Sequence, residues 1–99
     1  MNQQLCGDVR LCAAAGVMAC PLGEGVALLH QASGTFYTLG EIETFIWNRL
    51  SSPTTSERLA IDVGESFDAP PEQIARDVHQ FLESMVDADL VELDATAHP

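Results

Sequence analysis

The residues of this chain with the chemistry for catalysis or ligation are fifteen carboxylates, three histidines and three cysteines. General acid–base catalysis needs two such groups converging on a substrate, in a pocket that shifts a pKa. Here the acids are spread as solvated helix residues are, so they read as surface. Asp87 and Asp89, with Glu83 a turn earlier, invite a cation, but they lack the oxygen-rich, glycine-bearing loop of a calcium site. His30, His79 and His98 are scattered, and Cys6, Cys12 and Cys20 form neither a CxxC pair nor a zinc-spaced set with histidine. Three is an odd count, read here as reduced thiols of a cytoplasmic protein rather than a disulfide framework. No serine stands in a nucleophile elbow. Gly23-Glu24-Gly25 lacks the further glycine and helix start of a phosphate loop. Trp47, beside Ile46, reads as core rather than a stacking platform. The residues therefore imply no catalytic group, no metal and no cofactor.

Charge narrows the partners. The net charge is −11, with Arg10, Arg49, Arg58 and Arg76 as the four cations and no lysine. Nucleic-acid binding rests on Lys and Arg neutralising phosphates, so DNA and RNA are disfavoured, as are anionic membrane surfaces. A basic partner is attracted, chiefly through a faster on-rate, although acidity also serves plain solubility. No stretch approaches the ~20 apolar residues of a membrane span, and residues 1–20 lack the basic start and continuous apolar core of a signal peptide.

One pattern suits binding rather than chemistry. Within residues 25–50, Val26-Ala-Leu-Leu29 leads through Ala32-Ser-Gly to Phe36-Tyr-Thr-Leu39, and then Ile42, Phe45, Ile46 and Leu50 repeat at helical spacing. This is a hairpin, over 26–31 and 35–39, feeding an amphipathic helix over 41–50. If the second strand is a sheet edge, its free N–H and C=O groups can take a peptide as an added strand. The same edge can pair with a second copy to form a homodimer.

Around that unit, an earlier strand is expected near 9–12 or 17–21, or at both. Pro53 ends the first helix. A second helix, capped by Thr55 or Ser56, runs to about 66. Pro71 opens a third, in which Ile74, Val78, Phe81, Leu82 and Met85 form a core stripe to about 87. Leu90-Val-Glu-Leu93 returns as a short strand. The expected fold is α+β: a three-stranded antiparallel sheet followed by three helices, as one domain over 1–99 with its core in about 17–93.

The ordered set of motifs resembles the PqqD-like family of leader-peptide-binding domains, or RiPP recognition elements. VALLHQ, ASG, TFYTL and IETFIWNRL stand for its strand, turn, aromatic strand and helix with an Ile-Trp pair. Leu59-Ala60, Phe67-Asp68, Pro71-Glu72, Asp77-Val78-His-Gln-Phe81-Leu82 and the final Leu-Val-Glu-Leu complete the set. The likeness covers about residues 25–93. Gly40 departs from an expected Asn, and Ala88-Asp89 from an expected Gly; residues 1–20 match nothing in the pattern.

The resemblance implies a non-catalytic, winged helix-turn-helix-like domain. It also implies that the leader of a precursor peptide adds beside Thr35, Phe36, Tyr37, Thr38 and Leu39. The other wall of the groove is then the third helix, through Asp77, Val78, Phe81 and Ser84. Asp77 would pair with a leader Lys or Arg, or else be a solvated helix acid. The opposite flank, Ala75, Leu82 and Val86, is the alternative wall. A stand-alone domain of this size is most similar to the discrete leader-binding partner of lasso peptide clusters, which hands the precursor to a leader peptidase. Relatives serve radical-SAM enzymes instead. A winged-helix DNA regulator and a small thiol enzyme are the competing classes.

Overall fold

The computed structural model describes residues 10–93. The order is β1 (Arg10–Ala13), β2 (Val17–Leu22), β3 (Gly25–His30), β4 (Thr35–Leu39), α1 (Glu41–Arg49), β5 (Thr54–Thr55), α2 (Ser56–Ser66), α3 (Pro71–Asp87) and β6 (Val91–Leu93). The chain is α+β, with the expected antiparallel sheet ahead of three helices.

That sheet has the order β2-β3-β4. Leu22 pairs with Gly25 across a two-residue connection in which Gly23 has φ +63, as a type II′ turn requires at its first position. The β3–β4 loop is longer. Gly34, at φ +73, closes it by donating from its N–H to the His30 carbonyl at 2.8 Å, and the Ser33 hydroxyl lies 2.9 Å from His30 Nδ1. Leu28 lies opposite Ala19 and Tyr37; Leu28 is fully buried and Tyr37 packs on the core, whereas Ala19 on the edge strand β2 stays exposed, so the core covers this face from β3 to β4. Met18, Leu29 and Phe36 form a row on the other face, where Phe36 is 67% exposed.

The structure adds a second sheet, of order β5-β1-β6, that the sequence reading lacked. Strands form at both of the early positions, but β1 leaves the hairpin strands to pair with β5 and β6. Gly16 turns the chain at φ +84. Ala13 and Ala14 donate to the carbonyls of Leu50 and Leu90, which ties β1 to the ends of α1 and α3. A two-residue partner such as β5 carries almost no pattern of its own, which is why it is invisible in sequence.

The helices follow their local signals. The Thr55 hydroxyl accepts from the Arg58 N–H at 3.0 Å and caps α2. Pro71 begins α3, whose stripe Ile74, Val78, Leu82 and Met85 is buried. α3 ends in a Schellman turn: Leu90 donates to the Met85 carbonyl, Asp89 donates to that of Val86, and Asp89 holds φ +62. α1 starts at Gly40 with no side-chain cap, where an Asn would have supplied one. Leu11, Leu28, Ile46, Leu50, Leu59, Leu82 and Leu90 are among the large side chains sealed at the centre, with Trp47 beside them. Ile42 departs from expectation. It keeps the helical spacing of the core face yet is 41% exposed, because it lines an open cleft between α1 and α3 rather than the sealed centre.

Candidate functional site

Two strands, β2 and β4, are the edges of the hairpin sheet. They are unlike. β2 carries Pro21, which has no N–H to offer a further strand. β4 has no proline and no charged side chain, so neither of two common devices for blunting an edge is present on it. Along β4, Tyr37 and Leu39 turn inward and pack on the core, whereas Phe36 and Thr38 are exposed, and so is Thr35 at its start. The backbone of β4 is thus held from one side by β3 and from beneath by the core, while its outer groups face away from the sheet.

Gly40 alone separates the end of β4 from α1, so the first turn of α1 stands at the end of that edge. From there a cleft of about 460 Å³ opens between α1 and α3. Ile42, Glu43 and Ile46 form one wall; Asp77, Val78, Phe81 and Ser84 form the other; Phe67 closes an end. Val78 is buried at the base, Phe81 is half-buried, and Asp77 and Ser84 are exposed at the rim. The apolar floor with Glu43 and Asp77 at its margin suits a segment carrying an apolar side chain and a cation. No lysine or arginine lines this cleft.

All four α3 residues singled out from the sequence therefore share one cleft. The opposite flank does not open there: Leu82 is fully buried, and Ala75 lies on the far side of α3, in a groove against α2 with Arg76 and His79. None of Thr35, Phe36, Tyr37, Thr38 and Leu39 lines the cleft, so edge and cleft are neighbouring surfaces joined at the start of α1, not one cavity. Ile42, Glu43 and Phe67 were missed as wall residues. Ile42 and Phe67 carried a signal, since an apolar residue in the first turn of a helix and one in a connector both need cover, but neither fact names the covering partner; Glu43 carried none beyond its place in that first turn.

The remaining chemical residues stay apart. His79 Nε2 lies 3.2 Å from the Glu83 carboxylate one turn on, a pairing along the helix surface. Cys20 is exposed on β2, Cys12 is partly buried on β1, and Cys6 and His98 lie outside the described residues. Among the described residues, no three of His, Cys, Asp and Glu gather as a metal site. Nor is any helix there long and apolar enough to cross a membrane.

The family model for coenzyme PQQ synthesis protein D (PqqD) matches residues 25–91, from the first residue of β3 into β6. The chain belongs to the PqqD family. Two solved structures share the PqqD-like fold. One is described as "TbiB1 in Complex with the TbiA(beta) Leader Peptide", with a TM-score of 0.75, 22% identity, and coverage of 82% of this chain and 94% of that one. The other is "Lasso peptide synthetase B1 complexed with the leader peptide", with a TM-score of 0.73, 16% identity, and coverage of 83% and 96%. No curated protein sequence matches the chain. The PqqD match holds the edge, the cleft and all three helices; β1 and β2 lie before it. The two departures from the PqqD pattern are both at helix ends, Gly40 before α1 and Asp89 after α3, and leave the cleft walls untouched.

Proposed function

We propose that this chain is a non-catalytic adaptor that binds the leader of a ribosomally made precursor peptide and presents it to a modifying enzyme or leader peptidase. The observation that carries this reading is an open, unblunted β4 edge beside an apolar, acid-rimmed cleft, in a PqqD-family fold. The leader adds as a strand along Thr35–Leu39, whose backbone groups supply register and affinity. Its side chains reach the cleft, where Val78 and Phe81 take an apolar group, Ser84 offers a hydroxyl, and Asp77 with Glu43 favours a Lys or Arg. Two solved structures of this fold are themselves leader complexes, and one of them is described as a lasso peptide synthetase B1, which favours that class over service to a radical-SAM enzyme. Such an adaptor works in the cytoplasm, where precursors are made.

Calorimetric titration with the leader encoded beside this gene tests the proposal. Saturable binding at about 1 µM or tighter, equivalent to roughly −8 kcal/mol, is expected. Failure to bind any co-encoded short peptide overturns it. A DNA-binding role finds no support in α3, the helix a winged domain would lay in the groove, which carries Glu72, Asp77, Glu83 and Asp87 against a single arginine.

A further inference from the structure

A second cleft, of about 500 Å³, lies at the corner between α1 and α2 and belongs to neither the β4 edge nor the α1–α3 cleft. The Phe45–Phe67 pair stands between the two. Its rings meet edge to face at 5.4 Å, with Phe45 lining one cleft and Phe67 the other. The corner cleft is where this acidic protein concentrates its positive charge. Arg49 and Arg58, two of the four cations in the whole sequence, both line it. They converge on one carboxylate, with Arg49 Nε 3.7 Å and Arg58 Nε 3.5 Å from the two oxygens of Asp62. Two guanidiniums against one carboxylate leave a unit of positive charge. They also leave most of their ten N–H donors unused, because a guanidinium has five and a carboxylate satisfies few of them.

The rest of the lining suits the same chemistry. Asn48, Ser51, Ser52 and Thr54 add amide and hydroxyl groups around the guanidiniums. The Arg49 guanidinium carbon lies over the Phe45 ring, 4.3 Å from its centre, a cation–π contact that steadies the group while its N–H donors stay accessible. If the two arginines served only to tie α1 to α2, they would contribute little, since ion pairs this exposed are typically worth under about 1 kcal/mol. Planar, pre-positioned guanidiniums are instead suited to bidentate contact with an oxyanion.

We propose that this cleft is an anion site that takes a single phosphate or carboxylate group between Arg49 and Arg58, with Asp62 as its built-in competitor. The site does not depend on the leader-binding reading, and its occupant must be small, because the protein's overall charge opposes any large polyanion. NMR titration following the arginine Nε–Hε signals tests it, with inorganic phosphate in one arm and an acetylated glutamic acid amide in the other. At least one probe should saturate in the millimolar range or below, shifting Arg49 and Arg58 but not Arg76. Whichever probe binds tighter identifies the source. R58A should weaken that binding about tenfold or more, as loss of a charge-assisted hydrogen bond predicts. R58Q serves as a second variant that keeps the side chain's length. D62N should tighten binding several-fold by freeing both guanidiniums, and R76A, which removes the same charge elsewhere, should leave it unchanged. Failure of both probes to saturate, or equal weakening by R58A and R76A, overturns the proposal. Leader affinity measured on R58A stays at the wild-type value whichever way the anion test falls, which keeps the two readings separable.

Discussion

Phe81 and Asp77 stand one turn apart on α3, and the proposed function divides recognition between them. Phe81 offers half-buried aromatic surface inside the cleft, and Asp77 an exposed charge at its rim. Phe81→Ala should weaken leader binding by about tenfold, the equivalent of some 1.4 kcal/mol of lost apolar contact, with a modest fall in melting temperature. Trp47 behaves oppositely. It is 9% exposed and sits in the core, so Trp47→Ala should cost about 3 kcal/mol of stability in a denaturant titration, while protein that remains folded binds leader normally. The pair of measurements separates wall from scaffold. Tyr37 is a poorer probe, because its side chain packs on the core and its loss would lower both quantities.

At the scale of elements, two glycine questions decide how the site is framed. Gly25, the first residue of β3, lies so close to the Leu39 carbonyl that a Cβ has no space, with the Thr44 hydroxyl also at hand. Gly25→Ala should therefore force the end of β4 away from β3. It should lower stability by about 1–3 kcal/mol and weaken leader binding together, read by thermal melts and calorimetry on the same protein. At the end of α3 the reverse holds. Asp89 occupies the left-handed position of a Schellman turn, where glycine is the usual residue. Asp89→Gly should raise stability by about 1 kcal/mol, and an unchanged or lower melting temperature would contradict this account. The departure noticed in the sequence as a missing glycine is thus a strained backbone in the structure.

For the whole molecule, the governing quantity is charge. A net −11 on 99 residues creates a field that favours the approach of a basic segment such as the proposed leader, and Glu43 and Asp77 in the cleft lining add a local component. Raising ionic strength from about 0.05 to 0.5 M, which shortens the screening length from roughly 14 to 4 Å, should slow association several-fold and change dissociation little. Stopped-flow measurement of both rates checks this; a salt-independent on-rate would mean that the charge serves solubility alone. Against the same field, Arg49 and Arg58 form one local exception, and only their convergence on Asp62 makes it visible.

The sequence by itself determined what each segment is. Alternating and 3.6-residue apolar periods, Gly23 and Gly34 in turns, Thr55 as a cap and Pro71 as a helix start are local signals, and the hairpin, three helices and last strand follow from them. The ordered motifs also carried the family. Tertiary structure alone decided which surfaces meet. It sent β1 away to pair with residues 54–55 and 91–93, exposed Ile42, turned Asp77, Phe81 and Ser84 rather than Ala75 and Leu82 toward a cleft, and set Phe67 at its end. A helical period states that a side chain must be covered but not by what, because the covering residue comes from a distant element whose placement only the packed core fixes. The β4 edge illustrates the division. Its strand was legible from five residues, whereas its open side is defined by the absence of a neighbour among the described residues, and that is a property of the folded sheet.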